Sequence, residues 1–224
     1  MTTIATVSDV HGLERQIHWP PADILVMAGD ILPNFSRMEE LDAEKQLQYL
    51  PSLNNFLRDL PYQEVVLVFG NHDWVAEIFP VETKAAMPDI HILAHESKEI
   101  MGLKFFGSPY QSWFWDWAFN FPQNDPGLDY PVARAAWAKI PDETEILVVH
   151  GPPKGIVDKV MGGANVGCPM LRERIDQLKK LRLGVYGHIH PSYGMIKIGE
   201  TKHVNASACN ESYQPVNRIQ VINV

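Results

Sequence analysis

Five short apolar runs in this sequence end abruptly in polar residues of the same few kinds. The clearest is Val66–Phe69, which passes through Gly70 into Asn71, His72 and Asp73. The others are Ile4–Val7 before Asp9 and His11, Ile24–Ala28 before Asp30, Ile146–Val149 before His150, and Leu183–Tyr186 before His188 and His190. Runs of this length bounded by glycine are typical of buried strands. Because open α/β sheets bind ligands at the carboxyl ends of their strands, the pattern predicts one shared site.

Length and composition indicate a globular protein with a substantial core. The 224 residues suit one large domain or two small ones, and we interpret residues 1–224 as a single domain because no linker or internal repeat interrupts them. No apolar run approaches the roughly 20 residues of a membrane helix. The chain enters its first strand at once, leaving no room for a signal peptide. Cys168 and Cys209 are isolated and are expected to be reduced, so we expect a cytoplasmic protein.

The charge balance excludes one class of partner. The formal net charge is −8, and lysine and arginine form no cluster along the sequence. Surfaces that bind long nucleic acids need clustered positive charge, so we expect a small-molecule substrate and neither nucleic acid nor membrane as partner.

The order of segments predicts stacked mixed sheets flanked by helices, because strands alternate with helices in the first half and hairpins dominate the second. Residues 42–60 have leucines at helical spacing but contain Pro51, so we predict a break near Leu50 and a second helix from Pro51. Further helices are predicted at 74–87, 131–139 and 169–181, and further strands at 97–101, 103–107, 194–198, 201–206 and 216–223.

The residues at the predicted strand ends are those that bind hard or borderline divalent cations. Seven of them offer oxygen or imidazole nitrogen, and none is a cysteine: Asp9, His11, Asp30, Asn71, His150, His188 and His190. Seven ligands are too many for one tetrahedral ion but suit two ions that share a carboxylate. Two such ions about 3.5–4 Å apart activate water and clamp both oxygens of an in-line displacement at phosphorus. His72, next to Asn71, is placed to protonate the leaving group.

The motifs DxH, GD, GNHD, HG and GHxH follow one another in this order from Asp9 to His190, and together they resemble the calcineurin-like metallophosphoesterase superfamily. The resemblance implies an α/β/β/α sandwich of two mixed sheets, with a dinuclear metal centre at the C-terminal ends of the strands. It assigns the first ion to Asp9, His11, Asp30 and His190. It assigns the second ion to the bridging Asp30, Asn71, His150 and His188. His72 would be the acid or the stabiliser of the transition state.

Departures from the superfamily pattern indicate which branch of the superfamily the chain resembles. Protein Ser/Thr phosphatases carry arginines in GDxxDRG and RGNHE, whereas this chain reads GDILPN at 29–34 and FGNHD at 69–73. The segments 107–120, 150–153 and 187–194, the last together with 205–207, resemble the small metallophosphoesterase-domain (MPPED-like) branch. That branch implies hydrolysis of phosphodiesters, including cyclic nucleotides, rather than dephosphorylation of proteins.

We therefore predict a dinuclear metal-dependent phosphodiesterase for small diesters such as cyclic nucleotides. A hydroxide bridging the ions would attack phosphorus, and His72 would assist the departing alkoxide. A phosphomonoesterase or nuclease on the same centre, and a metal-bound scaffold with negligible catalysis, stay open as alternatives. We expect Mn²⁺, and Fe, Zn²⁺ or Ni²⁺ would also accept these ligands.

Three features near these motifs have two interpretations each. The aromatic stretch 110–121 is typical of core or a packed cover, and the alternative is a wall at Trp113 and Trp115 on which a nucleobase stacks. Asn205 is a candidate substrate contact. Asp73 is interpreted mainly as the N-cap of the helix that begins at residue 74, with support of a metal ligand as the alternative.

Overall fold

The computed structural model describes residues 1–122 and 130–224. In chain order, the strands are β1 (Thr3–Val7), β2 (Ile24–Ala28), β3 (Glu64–Val68), β4 (His91–Ile92), β5 (Glu96–Ile100), β6 (Leu103–Ser108), β7 (Ile146–Val149), β8 (Leu183–Tyr186), β9 (Gly194–Ile198), β10 (Thr201–Asn205) and β11 (Gln220–Asn223). The α-helices are α1 (Glu39–Arg58), α2 (Trp74–Ile78), α3 (Pro80–Ala86), α4 (Pro131–Trp137) and α5 (Pro169–Gln177). Two short 3₁₀ turns lie at Glu14–Gln16 and His190–Ser192.

The strands form two mixed sheets. The first has the order β11-β1-β2-β3-β4, in which β1 to β4 run parallel and β11 is antiparallel to β1. The second has the order β5-β6-β7-β8-β10-β9, in which the four central strands run parallel and both edge strands are antiparallel. The central strands of each sheet therefore end at one edge, where the sequence places its polar residues.

Apolar side chains fill the space between the sheets and cover both outer faces. Along β2, Ile24, Val26 and Ala28 pack against the second sheet, while Leu25 and Met27 pack under helices α1 and α2. Because β2 is buried on both faces, its apolar run is continuous rather than alternating. Helices α4 and α5 cover the second sheet. The layers confirm the predicted α/β/β/α sandwich.

Two predicted helix boundaries are wrong. Helix α1 continues through Pro51, where a break was expected near Leu50. Burial of Leu50, Leu53 and Leu57 on one face offsets the backbone hydrogen bond that the proline cannot make. The helix predicted at 74–87 is two helices that separate at Phe79. Phe79 precedes Pro80, and the proline ring disfavours the helical conformation at the residue before it.

The remaining predicted elements are found with small differences in length. The helix predicted to 181 ends at Gln177, and the strand predicted from 216 begins at Gln220. Cys168 and Cys209 are both buried free thiols. Among the described residues, no helix has the length and apolar character to cross a bilayer.

Candidate metal centre

The carboxyl ends of β1, β2, β3, β7 and β8 bring six of the predicted ligands and His72 into three overlapping groups. In each group, one ligand atom per residue lies within 4.8 Å of the others: Asp9, His11 and His190; His11, Asp30 and His72; and Asp30, His150 and His188. The seventh predicted ligand, Asn71, joins the third group because its Oδ1 lies 2.9 Å from Nε2 of His150. Asp30 belongs to two groups and lies within ligand distance of both His11 and His150, as a carboxylate shared by two neighbouring ions would.

Four of these residues have left-handed backbone conformations that L-amino acids rarely adopt. The φ angles are 52° for Asp9, 49° for His11, 54° for Asp30 and 64° for His188. Each such residue costs about 1–3 kcal/mol and persists only where its surroundings enforce it. Backbone hydrogen bonds enforce two of them here: the amide of Asp9 donates to Gly29 (2.9 Å) and that of His11 to Asp30 (3.0 Å). Strain of this kind is concentrated at functional sites.

Two glycines are required beside the ligands for close approach. A Cβ atom at Gly29 would lie 2.3 Å from Nδ1 of His150, and one at Gly70 would lie 2.3 Å from Oδ1 of Asp30. Any larger residue at either position would displace the ligand. The motifs GD and GNHD therefore contain glycine because strand ends and ligands are packed together.

Asp9 is held by groups that the sequence analysis missed. The hydroxyl of Ser8 donates to Oδ2 of Asp9 (2.6 Å), and Oγ of Ser207 lies 2.7 Å from the same oxygen. The backbone amide of His188 donates to both carboxylate oxygens at 3.1 Å. These contacts hold the carboxylate in one orientation, in which both serines bind Oδ2 and Oδ1 lies 3.2 Å from Nε2 of His190. Only the tertiary fold shows the role of Ser207, since it lies far from Asp9 in sequence.

The imidazole rings have the environments that metal-binding histidines need. Nδ1 of His150 lies 2.8 Å from the carbonyl of Ala28, and Nδ1 of His190 lies 2.9 Å from that of Asn210. Each ring can donate its Nδ1–H to a carbonyl and keep Nε2 for a cation, which is the usual arrangement in metal sites. Both ring nitrogens of His11 are buried and have no hydrogen-bond partner among the described residues. A buried imidazole without a partner fits a divalent ion.

Electrostatics at the site favour cation binding. Burial lowers the pKa of His11 to about 4 and that of His188 to about 3, so both rings are neutral at pH 7 with a free lone pair. Burial opposes the charge on Asp30, but His150 and His72 outweigh it and hold the pKa of this carboxyl well below its usual value. Asp30 is therefore an anion at pH 7. Against the effect of burial, its charge raises the pKa of His150 to about 9, so a cation bound by that ring would displace a proton.

His72 lies next to the ligand groups but is oriented by different partners. Its Nδ1 lies 2.8 Å from the side-chain nitrogen and 3.1 Å from the oxygen of Asn34, while its Nε2 lies 3.9 Å from Oδ2 of Asp30. The ring of Trp117 packs against its face with a centroid distance of 4.1 Å. No motif pointed to Asn34, which ends the GDILPN segment.

Comparison with known proteins agrees with this geometry. The calcineurin-like phosphoesterase family matches residues 2–192. The chain belongs to this family. It is 32% identical over 247 residues to metallophosphoesterase domain-containing protein 1 of Homo sapiens and of Mus musculus, covering 100% of this chain and 71% of each relative. These relatives support the MPPED-like branch.

A solved structure shows the same fold in a more distant protein. The phosphopantetheinyl hydrolase of Mycobacterium tuberculosis aligns with a TM-score of 0.55 and 16% identity, covering 98% of this chain and 95% of that one. The family match, with the His and Asp groups described above, assigns this calcineurin-like chain to the metal-dependent phosphoesterases.

Asp73 does not cap the following helix, although it occupies the N-cap position of α2. Its carboxylate instead accepts hydrogen bonds from the backbone amides of Gly70 (2.7 Å), Leu32 (2.9 Å) and Ile31 (3.1 Å). It therefore joins the loop after β2 to the loop after β3. The N-cap interpretation is wrong because the carboxylate binds amides of the two loops that carry Asp30 and Asn71 and makes no hydrogen bond to the helix.

Asn205 is used inside the protein. Its side-chain nitrogen donates to the carbonyls of Gly187 (3.2 Å) and Ile189 (3.0 Å), and its oxygen accepts from the amide of Ser207 (3.1 Å). The residue is fully buried. This geometry gives Asn205 a positioning role at the turn that carries His188, in place of the expected substrate contact.

The two tryptophans of the proposed stacking wall lie in different surroundings. Trp113 borders a cavity that also contacts His188, whereas Trp115 is 65% exposed and lies outside that cavity. Other aromatic rings come closer to the ligands: Phe114 lies 5.1 Å from His188, and Tyr213 lies 4.7 Å from His11, measured between ring centroids. The site therefore has an aromatic rim.

Proposed function

We propose that this protein hydrolyses small phosphodiesters, such as cyclic nucleotides, at a centre of two divalent ions. The observation that carries the proposal is the absence of a cationic side chain from the described part of the centre. Among the described residues, the ion pairs of Asp9 and Asp30 are with histidines, and none is with a lysine or an arginine. A phosphomonoester dianion is commonly gripped by arginine, whereas a diester has a single negative charge that the ions neutralise.

The chain's own residues divide into ion ligands and supporting groups. Asp9, His11 and His190 would hold one ion, and Asn71, His150 and His188 the other, with Asp30 shared. When bound, the ions supply an activated water and neutralise charge at phosphorus. Mn²⁺ is our expected metal. Ser8, Ser207 and Asp73 keep the carboxylates and their loops in place.

His72 would protonate the leaving oxygen. Its Nε2 lies on the side of Asp30, while Asn34 contacts the opposite ring nitrogen. Trp117 covers the ring face and excludes water from it. A general acid held in this way typically accelerates the reaction about 10²–10⁴-fold.

A comparison of two chromogenic esters tests the proposal. The protein loaded with Mn²⁺ is expected to hydrolyse bis-p-nitrophenyl phosphate faster than p-nitrophenyl phosphate. Asp30→Ala should lose turnover and bound metal with an unchanged circular dichroism spectrum. His72→Ala should keep its metal and lose turnover mainly of 2′,3′-cyclic AMP, whose alkoxide leaving group needs a proton, with a smaller loss on the p-nitrophenyl esters. A preference for the monoester would indicate a phosphatase. No hydrolysis of either ester by the metal-loaded protein would indicate a scaffold.

Three further expectations belong to this proposal. The net charge of −8 disfavours a nuclease, so single-stranded DNA should be a poor substrate in the same assay. Because the ligands come from both sheets, we treat residues 1–224 as a single domain. The two buried free thiols favour a cytoplasmic location.

A further inference from the structure

A cavity of about 180 Å³ lies directly beside His188. One wall is the segment 111–114, and a second wall comes from 151–152, Val160 and 166–168. The position matters because any phosphodiester held near His188 would have one ester group next to this space.

The first wall is aromatic. Trp113 and Phe114 both border the cavity, and Phe114 meets the His188 ring edge to face at 5.1 Å. The neighbouring Trp115 does not line the cavity. Its ring forms a T-shaped pair with Phe114, with 6.4 Å between the ring centroids. Flat aromatic walls favour a flat ligand, because stacking uses the whole ring face.

The same wall contains an unpaired hydrogen-bond acceptor. Gln111 borders the cavity and is 1% exposed. Its Nε2 donates to Oδ1 of Asn120 at 3.3 Å, but its Oε1 has no hydrogen-bond partner among the described residues. A buried acceptor without a partner is unfavourable, and a ligand N–H group would satisfy it after a rotation of the Gln111 amide that turns the shielded oxygen to the cavity.

The second wall is fixed in place by a buried carboxylate. Asp158 accepts hydrogen bonds from the amides of Gly155 (3.0 Å) and Gly167 (2.8 Å), and also from the side chain of Asn165. The amide of Lys159 donates to Oγ of Ser192 at 2.6 Å, which ties the loop to the turn after His190. The cavity is therefore formed before a ligand arrives, which reduces the entropy lost on binding.

We propose that this cavity binds the nucleobase of a nucleotide diester, with Trp113 as its stacking wall and Gln111 as the acceptor for a base N–H. The inference rests on the proposed function and names the part of the substrate that the metal ligands do not recognise. An acyl chain would fill the apolar space as well, but it would leave the Gln111 oxygen unpaired.

Calorimetry with the metal-loaded protein tests the cavity without turnover. Adenosine 5′-monophosphate should bind at least about fivefold more weakly to Trp113→Ala than to the wild type, since base stacking is worth that much. Trp115→Ala should bind it like the wild type. Ribose 5-phosphate, which lacks the base, should bind all three proteins equally. Equal weakening of both ligands by Trp113→Ala would overturn the proposal.

The hydrogen bond has its own test. Gln111→Leu should weaken the binding of adenosine 5′-monophosphate by about tenfold. Gln111→Glu keeps an acceptor oxygen and should therefore bind the nucleotide more tightly than Gln111→Leu does. If Leu and Glu behave alike, Gln111 is not the acceptor and that assignment is overturned.

Kinetics then separate the inference from the proposed function. In Trp113→Ala, kcat/KM should fall for 2′,3′-cyclic AMP and stay unchanged for glycerol 1,2-cyclic phosphate, which has no base. Turnover of both diesters with no difference between wild type and Trp113→Ala would overturn the nucleobase site alone. Failure of the wild type to hydrolyse any diester would overturn the proposed function, while the calorimetry still decides the cavity.

Discussion

The side-chain amide of Asn34 faces Nδ1 of His72, with the amide nitrogen at 2.8 Å and the amide oxygen at 3.1 Å. In the protonated ring, the amide oxygen accepts the Nδ1–H and directs Nε2–H away from Asn34, towards the side of Asp30. A neutral amide thus does the orienting that a carboxylate performs for histidine in many hydrolases. We propose that Asn34 is a positioning residue whose effect passes through His72.

Replacement of Asn34 by Leu should slow the reaction most for diesters with poor leaving groups. An alkoxide needs a proton as it departs, whereas p-nitrophenolate does not. We expect Asn34→Leu to reduce kcat about 10–100-fold for 2′,3′-cyclic AMP and only a few-fold for bis-p-nitrophenyl phosphate. Asn34→Asp, which keeps an acceptor oxygen, is the matched control. Equal losses for the two substrates would show that Asn34 does not act through the leaving group.

The metal motifs were predictable because each of them is local. Asp9, Asp30 and His150 follow apolar runs whose lengths match buried strands, and parallel strands bring their carboxyl ends together without further information. The assignment of these ligands to two ions, in contrast, comes from the resemblance to the superfamily.

The supporting residues were not predictable because their partners are distant in sequence. Ser207 reaches Asp9 across 198 positions, and Asp73 reaches Ile31 across 42. Local rules alone suggested an N-cap for Asp73. Pro51 was misjudged for the same reason, since burial of one helix face outweighs a local propensity.

Asp73 should contribute strongly to stability without binding metal. Its carboxylate accepts from three buried amides, and removal would leave them unpaired at about 1–3 kcal/mol each. We expect Asp73→Ala to lower the free energy of unfolding by at least about 3 kcal/mol, with a smaller loss in Asp73→Asn. Urea unfolding in the presence of a chelator measures this separately from metal binding. A variant as stable as the wild type would refute the role.

One buried histidine, His203, lies away from the metal centre. His203 on β10 is 2% exposed, its ring lies nearly parallel to that of Tyr186, and its Nδ1 is 3.2 Å from the tyrosine hydroxyl. Burial, assisted by the positive charge of Arg172, lowers the pKa of His203 to about 4. The folded protein therefore holds this ring neutral at a pH where the unfolded chain protonates it.

The depressed pKa of His203 should make the fold less stable in acid. The ordinary pKa of histidine is about 6.5, so the unfolded state binds more protons between that value and about 4. The contribution to stability is complete above pH 6.5 and declines as the pH falls through this window, by roughly 3 kcal/mol in total. His203→Gln keeps a hydrogen-bond acceptor for Tyr186 and cannot titrate, so its unfolding free energy should fall less steeply with pH. Chelator-treated wild type and variant should be compared by urea unfolding from pH 7.5 to 4.5. The buried histidines of the metal centre are present in both proteins and cancel in the difference, so parallel curves would mean that His203 is not the group responsible.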